Sequence, residues 1–402
     1  MGTAGLATSR VARTDADGTA VPAVVRALHG FSADLYRQLA QRPGNLVCSP
    51  YSVAVALAMT RNGARGTTAT EMDRVMHALT LAELNSGLNA LTQHLDSRAG
   101  VRQRADGSTA KVSLAAANSL WGQQGTTWEQ AFLDRLASEY GTGVRLIDYA
   151  ADADGARQAI NAWTSEQTAG KIPDLVPAGA LDRLTRLLVV NAIYLKAPWE
   201  EPFSSGQTQR AAFTRVDGSH VSVPMMSHVV KSGRHASGPG WQAVDLRYAG
   251  SQLAMAVVVP EQGQLADVQR GLDGAWLSRL LAELRPGAVA LSLPRWSFRT
   301  RAGLGEQLAA LGMPTAFTHQ ADFAGMTAEE EVAIKAVLHE AFIAVDEEGT
   351  EAAAATAVTM GLTSAPPPPL RVSVDRPFMF VIHDVETATP LIVGRVDDPT
   401  KA

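Results

Sequence analysis

Residues 346–369 read DEEGTEAAAATAVTMGLTSAPPPP, and no ordinary local element accommodates them. Ala352 to Ala355 favour helix, whereas Thr356, Val358 and Thr359 favour strand, so intrinsic preference is divided. Taken as a strand, the run sorts its side chains by parity. Thr350, Ala352, Ala354, Thr356, Val358 and Met360 form one uncharged and mostly small face. Glu351, Ala353, Ala355, Ala357 and Thr359 form the other, with its single charge at the start. One such face can be buried while its opposite stays at the surface. Small side chains also let a strand slip between two neighbours already in place, and Gly349 permits a hinge where the run begins. Pro366 to Pro369 hold the far end extended, at about 3.1 Å per residue, and without amide donors they cannot join a central sheet. The stretch therefore divides into a half that suits insertion into a sheet and a half that does not. A flexible Ala/Pro linker and a proline-motif ligand for an SH3-like partner are the competing readings of its composition.

The remainder of the 402 residues sets the frame for that segment. Residues 1–20 are small and polar and predict a mobile tail. From Val21 a helix is expected, with Val24, Leu28, Phe31, Leu35 and Leu39 at helical spacing. Ser49-Pro50 opens a second, the hydroxyl capping free amides and the proline taking the first helical position. Thr68-Ala69-Thr70-Glu71 reads as a capping box for a third, and 82–96, 127–140 and 156–169 also fit helices. Beyond residue 180 the period shifts. Residues 187–195, 253–260, 289–298, 370–374 and 378–384 are rich in β-branched and aromatic residues and predict strands. Helices followed by strands, without repeats or a clean linker, indicate α+β and one large mixed domain over 21–402.

Charge and motifs narrow the function. Lys and Arg number 35 against 40 Asp and Glu, a net −5, which argues against a nucleic-acid or anionic-membrane binder. No apolar run reaches the roughly 18–20 residues that cross a bilayer, so a soluble chain is expected. Cys48 stands alone, which excludes an internal disulfide and a cysteine zinc site. The N-terminus lacks the apolar core of a secretory signal, so the chain stays in the cytosol or has lost a leader. There is no phosphate-cradling GxxxxGK[ST], no GxGxxG after a strand, no GxSxG elbow and no HExxH. The nine histidines are scattered singly, and Asp217-Gly218-Ser219-His220 reads as a hairpin turn. Neither an enzyme, a metal nor a cofactor is indicated.

EEGTEAAAATA is similar to the inhibitory hinge of the serpins, the family of large serine-protease inhibitors. VSVDRPFMFVI (372–382) resembles the family's C-terminal signature, NLVCSPYSVAVALAMTRNGARGTTATEM its early helices, and LVVNAIYLKAPWEEPF a central-sheet strand with its following turn. The resemblance spans about residues 22–400, four motifs in the family's order. It implies about nine helices, three β-sheets and an exposed reactive loop near the C-terminus, here about 347–369. It also implies a suicide substrate: a protease cleaves the loop, the hinge half inserts into the central sheet, and the protease is trapped as a distorted acyl-enzyme in a covalent 1:1 complex with a monomeric inhibitor. An extracellular location follows from the same likeness. The alternative within the family is a non-inhibitory chaperone, carrier or storage protein, whose hinge usually carries charged, bulky or proline residues.

Residue by residue, the resemblance makes Glu347, Glu348, Gly349, Thr350, Glu351, Ala352, Ala353, Ala354 and Ala355 the hinge. Ser49, Ser52, Asn191 and His339 match a polar shutter beneath the sheet, and Trp199 a breach tryptophan at its top, with Arg295 expected to pair with Glu347. Counting on from Glu347 by the usual loop length puts the scissile bond at Thr363-Ser364, with Leu362 and Met360 as alternatives. Those residues suit elastase-like, chymotrypsin-like or subtilisin-like pockets. No Arg or Lys occurs in 352–370, which disfavours trypsin-like targets, and 83–98 lacks the basic cluster of a glycosaminoglycan site.

Overall fold

Val24, Leu28, Phe31, Leu35 and Leu39 all enter the core from one face of a first helix, α1 (Val21–Leu39). Ser49 caps the second, α2 (Pro50–Arg61): its Oγ accepts the Ser52 amide at 3.2 Å. Every residue of α2 from Pro50 to Thr60 is buried, so it is an interior helix and not an amphipathic surface one. The third, α3 (Gly66–Val75), begins before the expected Thr68–Glu71 box. Thr68 Oγ1 instead accepts the Asp322 amide, and the Glu71 carboxylate takes the amide and hydroxyl of Thr315. The real cap of this kind lies one helix later. Thr80 accepts the Glu83 amide (3.2 Å) and donates to its carboxylate (2.7 Å) at the start of α4 (Leu81–Asp96). Then follow α5 (Gln130–Tyr140), α6 (Ala153–Gln167), α7 (Leu265–Arg270), α8 (Gly274–Glu283) and α9 (Gly305–Leu311). The structure is a computed structural model and describes residues 5–78, 80–329, 331–350 and 369–402.

Three sheets carry the strands, numbered along the chain. The largest runs β1 (Gly5–Ala7), β5 (Val144–Ile147), β4 (Thr109–Gln123), β6 (Leu187–Pro198), β16 (Gly349–Thr350), β15 (Ile334–Val345), β14 (Trp296–Gly303), with β3 (Gly100–Gln103) also on β4. The second runs β12 (Arg285–Pro286), β9 (Arg234–Gly238), β10 (Trp241–Arg247), β11 (Leu253–Pro260), β18 (Phe378–Asp384), β19 (Pro390–Val396), β2 (Leu46–Cys48). The third runs β17 (Leu370–Ser373), β13 (Val289–Pro294), β8 (His220–Val230), β7 (Gln209–Thr214). Three sheets and nine α-helices among the described residues make the α+β architecture expected.

The main core lies between the inner face of the large sheet and the second sheet, where α2 packs on β4, β6 and β19. A second apolar cluster joins α6 and residues 172–181 to the outer face of the large sheet through Leu188, Val190, Ala192 and Leu338. The N-terminus departs from the expected tail. Gly5–Ala7 pairs with Val144–Leu146 as an edge strand. Farther on, Ser9 donates to Asp134, Arg13 to Asn89 and Thr92, and the Thr14 amide to the Ser138 carbonyl. The polar composition that suggested a tail supplies hydrogen bonds that lay it against α4 and α5.

Candidate functional site

The expected hinge is anchored by the turn after β6. Three successive carbonyls are held there: Asp346 O accepts Trp199 Nε1 (3.0 Å), Glu347 O accepts the Phe203 amide (2.8 Å), and Glu348 O accepts the Trp199 amide (2.7 Å). Asp346 closes the turn by accepting the Glu348 (2.9 Å) and Gly349 (3.2 Å) amides on its carboxylate. Trp199 is buried and stacks on Tyr248, with ring centroids 4.7 Å apart and planes within 5°. Arg295 Nη2 and Thr208 Oγ1 both donate to the Glu347 carboxylate. Burial works against the charged form of Glu347, but Arg295 and Thr208 together outweigh it and hold the carboxyl below its ordinary value. Gly349 is required by geometry. At φ 152° its backbone lies so close to the turn that a Cβ would sit 2.3 Å from the Ala197 carbonyl oxygen.

Beyond the turn, Gly349 and Thr350 form a two-residue wedge at the top of a seam. Thr350 is opposite Val345 of β15 on one side and Ala197 of β6 on the other, antiparallel to both. Thr350 is 1% exposed, and its hydroxyl lies 2.7 Å from that of Tyr248. Below the wedge β6 and β15 pair with each other in parallel, from Ala341↔Ile193 down to Ile334↔Leu187. A buried polar network crosses this seam. The Ser49 amide donates to His339 Nε2 (3.1 Å), so the ring proton is on Nδ1 and is donated to Asn191 Oδ1. Asn191 Nδ2 donates to Ser52 Oγ (2.6 Å) and to Asn118 Oδ1, which Ser52 Oγ also reaches (2.7 Å). Ser49 Oγ donates to the Leu391 carbonyl at 2.6 Å. These bonds tie α2, β4, β6, β15 and β19 at one point.

Known proteins align with this arrangement along nearly the whole chain. The sequence profile of the serpin (serine protease inhibitor) family matches residues 26–399. The chain belongs to the serpin family. An uncharacterised serpin-like protein of Thermococcus kodakarensis is 36% identical over 380 residues, covering 94% of this chain and 86% of that one. Leukocyte elastase inhibitor of Bos taurus is 32% identical, covering 92% and 97%. The crystal structure of a thermophilic serpin, tengpin, in the native state superposes with a TM-score of 0.86 at 25% identity, covering 98% of this chain and 99% of that one.

In this serpin all four expected shutter residues meet in one network, and Trp199, Arg295 and Glu347 meet at the top of the sheet. Glu351, Ala352, Ala353, Ala354, Ala355, Met360, Leu362, Thr363 and Ser364 lie outside the described residues. Sequence reasoning missed Asn118, Thr208, Tyr248 and Asp346. Asn118 sits at the centre of β4 opposite Asn191, in a stretch not read as a strand.

The buried imidazole makes the serpin acid-sensitive. Burial pushes His339 from its ordinary 6.5 down to about 3. Protonation would also set two donors, Nε2–H and the Ser49 amide, against each other. The native state therefore binds fewer protons than the unfolded chain between those values. This contribution to stability is complete above pH 6.5 and is lost as pH falls through the window. Glu201 does not interfere above pH 5. Burial opposes its charge, but His228, Ser232 and Lys231 outweigh burial and hold its carboxyl at about 2, so its contribution fades only below about pH 4.5. Urea unfolding at pH 7 and pH 5 should show the native serpin losing about 2 kcal/mol more than His339→Gln over that interval. Equal losses would place the proton elsewhere.

Proposed function

We propose that this serpin inhibits serine proteases as a suicide substrate. The observation that carries the reading is the wedge: Gly349 and Thr350 already lie between β6 and β15, antiparallel to both, at the end of a parallel seam. A chain continuing past Thr350 would replace one parallel pairing with two antiparallel ones, the slightly stronger kind. Roughly a dozen added ladder bonds at about 0.5–1.5 kcal/mol each amount to on the order of 10 kcal/mol, comparable to the whole stability of a domain. That is enough to distort a bound enzyme.

The chemistry assigned to the loop is ordinary acyl transfer. The protease serine hydroxyl attacks the carbonyl carbon of Thr363, the Thr363–Ser364 C–N bond breaks, and the amine of Ser364 leaves with a proton. The hinge half, still esterified to the protease, then enters the seam before water hydrolyses the ester. Leu362 and Met360 are the alternative acyl donors. The partner is a chymotrypsin-like, elastase-like or subtilisin-like protease in a covalent 1:1 complex. Relatives named as inhibitors, leukocyte elastase inhibitor among them, support a protease partner.

The test is a gel. Chymotrypsin, pancreatic elastase and subtilisin are each mixed with the serpin and boiled in detergent. A band at the summed mass less the released C-terminal fragment, with that fragment's new N-terminus mapped to residues 361–364, is the expected result. Complete cleavage of the loop with all three proteases left active and no stable band would reject inhibition of these classes and favour a carrier or storage role.

A further inference from the structure

Between α6 and β6 the chain crosses the outer face of the large sheet as a strap. Its start stays tied to the helix. The Ile172 amide donates to Thr168 Oγ1 (3.1 Å), and Asn161 both accepts the Val176 amide (2.7 Å) and donates to the Val176 carbonyl (3.0 Å). Ile172, Leu175 and Val176 are fully buried in the cluster that contains Val190 of β6 and Leu338 of β15. The strap therefore spans the seam where the two strands are still paired.

Above the last pair the attachment changes character. Phe342 follows Ala341, the final β15 residue paired with β6, and shares the outward parity of Leu338 and Glu340. Two cations lie against its ring. Lys171 Nζ of the strap is 5.5 Å from the ring centroid, and the Arg299 guanidinium of β14 is 5.6 Å from it. Arg299 is positioned in turn by the fully buried Glu340, 3.5 Å from its Nη1, whose other oxygen accepts Arg301 Nε at 2.8 Å. Cations over an aromatic face are attracted by the ring quadrupole, more so where water is partly excluded. This contact joins the strap to the β15 side just above the last β6–β15 pair, three residues short of the position where the wedge pairs with β15.

We propose that the Lys171–Phe342–Arg299 stack is a catch that sets how fast the seam opens to admit a strand. The proposal rests on the insertion reading above and adds residues outside the hinge and the loop. A strand can enter only if β6 and the strap shift against β15 and β14, and the stack must break during that shift. Once the strand is seated, the strap can settle again. The three are positioning residues, and their effect falls on a rate, not on the end state.

Annealing of a synthetic peptide with the sequence of residues 350–362 tests this without a protease. Peptide uptake is followed by native gel and by the appearance of a heat-resistant species. Phe342→Leu and Lys171→Gln should each take up the peptide about tenfold faster than the parent serpin, the change expected from losing one cation–aromatic contact of middling strength. Phe342→Trp and Lys171→Arg, which keep ring and charge, should anneal at the parent rate. All annealed forms should melt alike. Annealing of Phe342→Leu at the parent rate removes the catch and leaves the insertion reading intact. Equal acceleration by Phe342→Leu and Phe342→Trp reduces the site to packing and also removes it. A parent serpin that never takes up the peptide overturns the insertion reading, and the catch with it.

Discussion

Thr350→Arg is expected to raise at least tenfold the number of serpin molecules consumed per protease trapped, while the loop is still cut. Thr350 is 1% exposed, and its hydroxyl meets that of Tyr248, which is itself stacked on Trp199. An arginine at this position must carry its charge into that corner or pull the hinge out of the wedge. Burying an unpaired charge costs several kcal/mol, and each 1.4 kcal/mol added to the insertion barrier slows the step about tenfold. Hydrolysis of the acyl-ester then wins, and the protease departs active. Titrating protease activity against the variant measures the effect, with Thr350→Ser as the control that keeps the hydroxyl. Trapping by Thr350→Arg at parent stoichiometry would mean that this face of the chain does not enter the sheet.

Nicking the loop without trapping an enzyme should raise the melting temperature by about 10 °C. The figure follows from on the order of 10 kcal/mol of new pairing and the unfolding entropy of a chain this long. Limited digestion with a protease that cuts within 351–368 and is then removed gives the sample, and calorimetry gives the shift. A nicked serpin that melts at or below the temperature of the intact one would show that the parallel seam stores nothing to release.

Local signals made part of this molecule legible. The apolar stripe of α1 and the Ser49-Pro50 start of α2 are written within a few residues, and both elements begin where those residues lie. The β-branched runs at 187–195, 253–260 and 378–384 were legible for the same reason. By contrast β4, TAKVSLAAANSLWGQ, carries three adjacent alanines and is a strand only because β6 pairs with it from Ser113 to Gly122 and β5 from Leu120 to Gln123. Missing β4 hid Asn118. The expected strand 289–298 is two strands broken at Arg295, and that break sets the guanidinium beside Glu347. Thr208 and Tyr248 carry no local mark. Their roles come from partners 139 and 102 residues away.

The register of the wedge reaches deeper than its two residues. Thr350 is level with Val345 and Ala197, while His339 and Asn191 face each other farther down the same two strands. The offsets are equal, since 345 − 339 and 197 − 191 are both 6. A ribbon advancing in this alignment would bring Thr356 between imidazole and amide, on the same inward side as Thr350. It would sever their bond and in the same step deliver a hydroxyl able to give a proton to one and receive from the other. The closed sheet would thus exchange one clasp for an equivalent one midway through its transformation, and part of the heat resistance gained on nicking would measure how well that splice is made.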